Sequence, residues 1–417
     1  MDKEDFFLYY EGMKIMLVRP NYRGFLIAPP LGLGYLSSFM AAHGERPTIL
    51  DGLRDGLSND RLVEGCAGAD LVGINVMSAY FPEALGLSRK LKARGHTVVL
   101  GGPHLAAMAL WTLREADADF AVVGEGELTF MELVRALEED RDPEGIEGLL
   151  TPKTRFLKKR RNIEDLDSLP IPDWQQMDPR KYKVPSGTGK NFPAIHIISS
   201  RGCLNDCRGC SGASMWGKGF RLRSPGAVIA EMIYLRDEFG VREFRFEDDN
   251  IVSVRDHLEG ICNMAIERKL EREWGIADTN PINLEVGLLG LMMKSGCRYL
   301  SFNVESGSAE VLERHFRRID LNKVEQVVSA CKNVGIKVQL RLRLGYPGDS
   351  PSSVRETIGF VRHLRPDRVQ FSFFGTLPGG PPGSPEFKKM VFESLGPFIS
   401  SELVLDDGIY LELGREA

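Results

Sequence analysis

Strand-like apolar runs alternate with helix-like segments twice along this chain, and a proline-interrupted stretch separates the two series. That double alternation constrains the fold more than any other feature. The first series is KIMLVRP, PTILD, DLVGINVMS, HTVVLGG and DFAVVGEGE, with helical patterns such as LGYLSSFMAAHG and FPEALGLSRKLKARG between the runs. Near-continuous apolar strands suit a parallel sheet covered on both faces. They predict a doubly wound, five-stranded α/β domain over residues 1–148. The second series is AIHIISSRG, REFRFEDDN, EWGIADTN, RYLSFNVESG, KVQLRLRLGYPG and DRVQFSFFG, six strand–helix units over residues 193–383. Residues 149–192 read as a linker. Pro170 and Pro172 interrupt any helix there, and the basic run LKKRR is a solvated strand or turn. Residues 384–417 read as a small C-terminal cap.

Length and charge narrow the function classes. A chain of 417 residues accommodates two full cores. A formal net charge of −5 argues against a general nucleic-acid binder. No apolar run is long enough to span a bilayer, and MDKEDFFLYYEG lacks the apolar centre of a signal peptide. The seven cysteines are odd in number and unevenly spaced, which fits a reducing compartment rather than a disulfide framework. A cytoplasmic monomer is the resulting expectation. Cys66, Cys262, Cys297 and Cys331 lie in helical or apolar contexts and read as buried free thiols.

Ligands of doubly wound sheets sit at the carboxyl ends of the strands. Here those ends carry Asp51, Ser78, Gly101-Gly102 and the run from Gly124 to Glu127. Glycines at such ends admit a bulky ligand to the backbone. No G-x-G-x-x-G follows the first strand, so a dinucleotide is not favoured. In the second series, SRGCLNDCRGC places Cys203, Cys207 and Cys210 in a C-x3-C-x2-C spacing. A zinc site would need a fourth ligand from elsewhere, and no partner pair has zinc-like spacing. Several later strands alternate in polarity. Tyr299, Ser301, Asn303 and Glu305 share one face of their strand; Gln339, Arg341 and Arg343 share one face of the next. A polar inner face implies a wet, charged cavity rather than a packed barrel core. Two unpaired buried guanidiniums would be very costly, so anionic partners are expected in the same cavity.

Together these features resemble the cobalamin-dependent radical SAM enzymes. The resemblance rests on Pro29-Pro30-Leu31-Gly32, the Asp51 loop, Ser78, LGGPH from Leu100 to His104, VVGEGELTF from Val122 to Phe130, and the cysteine spacing. It implies a Rossmann-like cobalamin-binding domain followed by a partial (β/α)6, TIM-like radical SAM barrel. Three thiolates would hold three irons of a 4Fe–4S cluster, and the open fourth iron would chelate the amino and carboxylate groups of S-adenosylmethionine (SAM). Reductive cleavage would then yield a 5′-deoxyadenosyl radical, with electrons from a flavodoxin- or ferredoxin-like donor.

The activity implied is a methyltransferase acting on an unactivated carbon of a small molecule or peptide. The two-domain order would let both cofactors face one cavity. Implied cobalamin contacts are Pro30, Leu31, Asp51, Leu53, Ser78, Gly101, Gly102, Pro103, His104, Gly124, Glu125, Gly126 and Glu127. Implied SAM contacts are Asp248, Asp249, Glu305, Ser306 and Gly345, within a loop that includes Pro347 and Gly348. Arg341, Arg343 and Tyr299 are the catalytic candidates.

Two departures from the family pattern stand out. The loop DGLRDG has Leu53 where related domains place a cobalt-ligating histidine, so no protein nitrogen is expected below the metal, with Leu53 or Arg54 shielding it. Gly209 stands where an aromatic residue usually precedes the third cysteine, and Trp216 is a candidate to compensate. A cyclase or rearrangement enzyme with the same cofactors, and a non-catalytic cobalamin or redox sensor, are the alternative readings. A methylthiotransferase would need three further cysteines in the first domain, which has only Cys66.

Overall fold

The structure is a computed structural model, and it describes residues 12–22, 27–184, 187, 191–205, 210–315, 319–346, 349–373, 399–405 and 408–413. The chain forms two compact units. One comprises Met1–Glu164, Ser168–Lys181 and Ser214–Trp216; the other comprises Asp165–Asp167, Tyr182–Ala213 and Gly217–Ala417.

The first unit holds strands β1 (Ile15–Arg19), β2 (Thr48–Asp51), β3 (Leu71–Asn75), β4 (Thr97–Gly101), β5 (Phe120–Val122) and β6 (Leu149–Leu150). Their order in the sheet is β2-β1-β3-β4-β5-β6. The first five are parallel, as the sequence predicts, and β6 adds an antiparallel edge that the sequence reading did not include. Helices α1 (Leu31–Ala42), α2 (Gly52–Asp55), α3 (Asn59–Gly65), α4 (Phe81–Lys92), α5 (Leu105–Glu115) and α6 (Gly126–Glu138) connect the strands. All five residues of β1 are buried, which explains the unbroken apolar run IMLVR. The order reverses between β1 and β3, and the crevice at such a switch point is where open α/β sheets bind ligands.

The second unit begins with β7 (Ala194–Ile197), a short antiparallel ribbon β8 (Ser200–Arg201) and β9 (Arg221–Leu222), and α7 (Ser211–Trp216) within the loop between them. Strands β10 (Glu243–Phe246), β11 (Glu273–Thr279), β12 (Cys297–Glu305), β13 (Lys337–Leu344) and β14 (Arg368–Phe373) follow. They alternate with α8 (Pro225–Phe239), α9 (Arg255–Glu267), α10 (Leu289–Lys294), α11 (Ala309–Arg314), α12 (Leu321–Val334) and α13 (Pro351–Leu364). Local sequence sets these helices. Ser224 caps α8 by accepting from the Ala227 N–H, Pro225 takes the first turn, and Gly240 ends the helix at φ 68°.

β7, β10, β11, β12, β13 and β14 pair in parallel in that order, the six-strand arc expected of a partial barrel. The sheet continues through β15 (Ile399–Leu405) and β16 (Gly408–Leu413), an antiparallel hairpin on the β14 edge. This hairpin is the described part of residues 384–417, the segment read as a small cap. Its sequence SELVLDDGIYLEL carries the alternation and Asp-Gly turn of a hairpin.

Cys66, Cys262, Cys297 and Cys331 are buried free thiols, as expected, and burial raises the pKa of each. No helix among the described residues is long and apolar enough to cross a membrane.

The ends of β1 and β2 are joined by one buried ion pair. Arg19 Nε and one terminal nitrogen donate to the two Asp51 carboxylate oxygens at 2.8 and 2.7 Å, and its other nitrogen donates to the Ala28 carbonyl at 2.6 Å. Asp51 is fully buried and Arg19 is nearly so. Arg19→Met leaves that carboxylate uncompensated and is expected to destabilise the protein by about 3–5 kcal/mol. Adding Asp51→Asn should recover much of the loss, because the orphaned charge is removed. Denaturant unfolding of the three proteins checks both expectations.

Candidate functional site

In the first unit the carboxyl ends of β1, β3, β4 and β5 form a glycine-lined cradle. Gly102 has φ 114°, and a Cβ there would stand 2.7 Å from the Val76 carbonyl oxygen, so only glycine fits. Gly32, Gly101 and Gly124 face open space where a Cβ would point. Pro30 caps α1 with Leu31 as its first residue, and Gly126 opens α6. Met77, just past β3, and Leu128, in the first turn of α6, are exposed apolar side chains in this region. Open glycine faces beside apolar side chains fit a large, amide-fringed planar group such as cobalamin.

The polar residues of the cradle divide into two kinds. Ser78 and His104 pair, with Ser78 Oγ 2.9 Å from His104 Nδ1. The His104 ring follows Pro103 at the start of α5 and stacks on Phe81 at 4.6 Å. Burial lowers the His104 pKa, and its Nε2 is buried with no protein partner. Asp51, Leu53, Glu125 and Glu127 are instead buried within the protein. Asp51 is consumed by Arg19 and by the Arg54 N–H. Leu53 is 5% exposed and packs in the core. Glu125 accepts from the Ile163 N–H at 2.7 Å, and Glu127 is buried. Arg54 pairs with Asp55 and donates to the Gln176 carbonyl. The Asp51–Gly56 loop therefore offers no nitrogen lone pair to a metal.

In the second unit Cys203 follows β8, and Cys210 directly precedes α7. Cys207 and Gly209 lie outside the described residues. The two adjacent aspartates after β10 face different ways. Asp248 is buried and accepts from the Ser199 N–H at 3.0 Å, from the Ser199 hydroxyl at 2.8 Å and from the Ser200 hydroxyl. It ties the end of β7 to the end of β10. Burial raises its pKa to about 6. Asp249 accepts from the Gly202 N–H at 3.0 Å, one residue before Cys203. A Cβ at Gly212 would stand 3.3 Å from Asp249 Oδ1 and 3.5 Å from Cys210 Sγ, so this carboxylate borders the cysteine loop.

The barrel's inner face is ionic. Along β13, Val338, Leu340, Leu342 and Leu344 are buried, while Gln339, Arg341 and Arg343 are partly exposed on the other face. Arg341 donates to Asp278 Oδ2 at 2.6 Å. Asp278, on β11, keeps a third of its side chain accessible although protein surrounds it, as a cavity-lining carboxylate should. Burial raises its pKa to about 6. Glu305 ends β12 at φ 69°, rare for a non-glycine residue, and a register shift precedes it. Its Oε2 accepts from the Tyr346 hydroxyl at 2.5 Å and lies 3.8 Å from Arg343. Asp349 accepts from the Gly345 N–H at 2.8 Å, where φ is 81°, and so fixes the turn that brings Tyr346 inward. Pro347 and Gly348 lie outside the described residues.

Two further expected site residues are buried. Ser306 is buried, and its hydroxyl meets that of Thr357 on α13 at 3.1 Å. Tyr299 lies low on β12, opposite Gly275 and Lys337. A Cβ at Gly187 or Gly275 would overlap its ring, so it packs the barrel floor, six positions below Glu305. Asp278 and Tyr346 were missed in the sequence. Their signals were the polar residue near the end of EWGIADTN and the tyrosine within LGYPG.

Comparison with known proteins agrees with this arrangement. Residues 25–134 match the B12 binding domain, and residues 197–361 match the Radical SAM superfamily. An uncharacterized methyltransferase of Pyrococcus horikoshii is 31% identical over 382 residues, covering 88% of this chain and 82% of that protein. A cytidylyl-2-hydroxyethylphosphonate methyltransferase of Streptomyces wedmorensis is 25% identical over 386 residues, covering 78% of this chain and 71% of that one. An anaerobic magnesium-protoporphyrin IX monomethyl ester cyclase of Cereibacter sphaeroides is 26% identical over 391 residues, covering 88% and 63%. The fold is shared with the radical S-adenosylmethionine methyltransferase TsrM of Kitasatospora setae, solved with cobalamin and a 4Fe–4S cluster bound. The TM-score is 0.74 at 19% identity, over 97% of this chain and 83% of that one.

Asp248 gives a test of the tie between β7 and β10. Its carboxyl titrates near 6 in the folded protein and near 4 in an unfolded chain. As pH rises the unfolded chain loses its proton first, so stability falls from about pH 4 to about pH 6 and then levels. Asp278 contributes in the same direction. Asp248→Asn keeps an oxygen for the serine donors and removes its share of that fall. Asp248→Ala leaves those donors unpaired and should cost about 1–3 kcal/mol. Thermal unfolding on either side of this window should show a smaller pH difference for the Asn variant than for wild type.

Proposed function

This chain belongs to the family of radical SAM enzymes that carry a B12-binding domain, and from that premise we propose that it is a methyltransferase acting on a carbon of a polar substrate. When bound, the cluster and SAM supply a 5′-deoxyadenosyl radical, and cobalamin supplies a transferable methyl group. The observation that carries the reading is the ionic inner face of the barrel, built around Asp278–Arg341 and the group of Glu305, Tyr346 and Arg343. A protein that only sensed cobalamin would have no use for a charged cavity in its second unit.

This chain's residues would divide the work as follows. Cys203, Cys207 and Cys210 would ligate the cluster. Asp249, bordering Cys210, would receive the amino group of SAM, and Glu305 a ribose hydroxyl, with Tyr346 orienting the carboxylate. The open glycines of the first unit would seat the corrin. Ser78 and His104 would meet its amide fringe, with the free Nε2 of His104 available to one such group. An external flavodoxin- or ferredoxin-like protein would deliver electrons. A ring-forming reaction on the same cofactors is the second reading, favoured by the similarity to the protoporphyrin ester cyclase.

Protein purified without oxygen and reconstituted with iron, sulfide and hydroxocobalamin should form 5′-deoxyadenosine on reduction with SAM. Replacing all three cysteines with alanine should abolish both the cluster and that product. Retention of about four irons and SAM cleavage by the triple variant would refute the radical chemistry. The lower face of cobalt gives a separate check. Because the Asp51–Gly56 loop presents no nitrogen donor, the Co(II) form should show no nitrogen superhyperfine splitting in electron paramagnetic resonance. Observed splitting would contradict that expectation and point to His104, another histidine or the cofactor's own base as the ligand.

A further inference from the structure

We propose that Arg343 is the anion-recognition residue for the substrate, so that the molecule modified in this barrel carries a carboxylate or a phosphoryl group. The inference rests on the reading above, in which SAM chelates a cluster held by the cysteine loop.

The two inward arginines of β13 are not equivalent. Arg341 is engaged, donating to Asp278 at 2.6 Å. Arg343 donates no hydrogen bond to any described residue. Its nearest carboxylate oxygen, Glu305 Oε2, is 3.8 Å away and already accepts from the Tyr346 hydroxyl. The Arg343 side chain is 41% exposed on the inner face, whereas the leucines on either side of it are buried beneath helices. A guanidinium presents five N–H donors in a planar fork that matches two oxygens of a carboxylate or phosphoryl group. Here that fork is held at the carboxyl end of a central barrel strand, hydrogen-bonded to no described residue. The bond from Tyr346 moderates the charge on Glu305, which would otherwise repel an anion placed there.

The carboxylate of SAM is the competing occupant. It must stay on the open iron, beside the loop that follows β7. β13 is the fourth strand from β7 in the sheet order. Neighbouring strands lie about 4.8 Å apart, which gives a path of about 19 Å along the sheet. Curvature shortens that span, and Glu305, 3.8 Å from Arg343, is the residue assigned above to the ribose of SAM, so the SAM affinity of Arg343→Met decides between the two anions. On the neighbouring strand Ser372 faces Arg343 in register, a small residue that leaves room for a group of the substrate.

Arginine footprinting with phenylglyoxal on the reconstituted protein tests this without knowledge of the substrate. Peptide mapping follows Arg343, the engaged Arg341, and the exposed surface residue Arg61 as control. Inorganic phosphate and acetate are the two probes, and they separate a phosphoryl from a carboxylate preference. One of them should slow modification of Arg343 by about threefold or more while leaving Arg61 unchanged. In parallel, Arg343→Met should bind SAM within about threefold of wild type by equilibrium dialysis.

Failure of both anions to protect Arg343 overturns the proposal. So does a larger loss of SAM affinity in Arg343→Met, which would assign the fork to SAM itself. If Arg343→Met does not assemble a cluster, Arg343→Lys keeps the charge, loses the fork and serves the same affinity measurement. A protein that takes up no cobalamin yet shows the protected Arg343 would sink the methyl-transfer reading alone, so the two failures are distinguishable.

Discussion

The alternation along β13 is the constraint on which the rest of the second unit depends. One face of the strand is leucine and valine packed beneath helices, and the other carries Gln339, Arg341 and Arg343. A parallel strand between helices is normally apolar on both sides. Here burial on one side supplies the hydrophobic stabilisation that lets the other side stay wet and charged. Charges at such a depth persist only when paired or reached by water. Asp278 meets Arg341 from across the sheet, and Glu305 meets Tyr346 and, more distantly, Arg343. The cavity is thus held open by ionic groups that cannot collapse on one another without losing water or a partner.

The same economy governs the strand ends. Of two adjacent aspartates, one is spent on structure and one is left at the cysteine loop. Asp248 gathers the donors of Ser199 and Ser200 and so fixes where β7 delivers its loop, while Asp249 stays beside Gly202 and Cys210. In the first unit Arg19 and Asp51 play the structural part, setting the turn after β2. Gly101, Gly124 and the Ser78–His104 pair are left to line the cradle.

Much of this was legible in the sequence, because strand and helix periodicities are local. Both series of strands, the polar inner face of β13 and the four buried thiols follow from residues within one element. What was not legible depends on distant partners or on depth. Nothing near Asp51 shows that Arg19, 32 positions away, takes both of its oxygens. Nothing near Arg341 names Asp278, 63 positions away. Alternation placed Tyr299 on the inner face, but only register with Gly275 and Lys337 shows that it lies at the floor. The terminal hairpin is a different case. Its alternation and Asp-Gly turn were visible in the sequence, but its pairing with β14, some 40 positions earlier, was not.

The central claim is that the two units act together to place a methyl group from SAM on a substrate carbon. Supplying SAM with a fully deuterated methyl group, together with the substrate, tests it most directly. The account predicts a product carrying all three deuterons, formed together with 5′-deoxyadenosine in equal amount. A product that has lost hydrogen and gained a ring, with 5′-deoxyadenosine formed and no deuterium incorporated, would contradict methyl transfer.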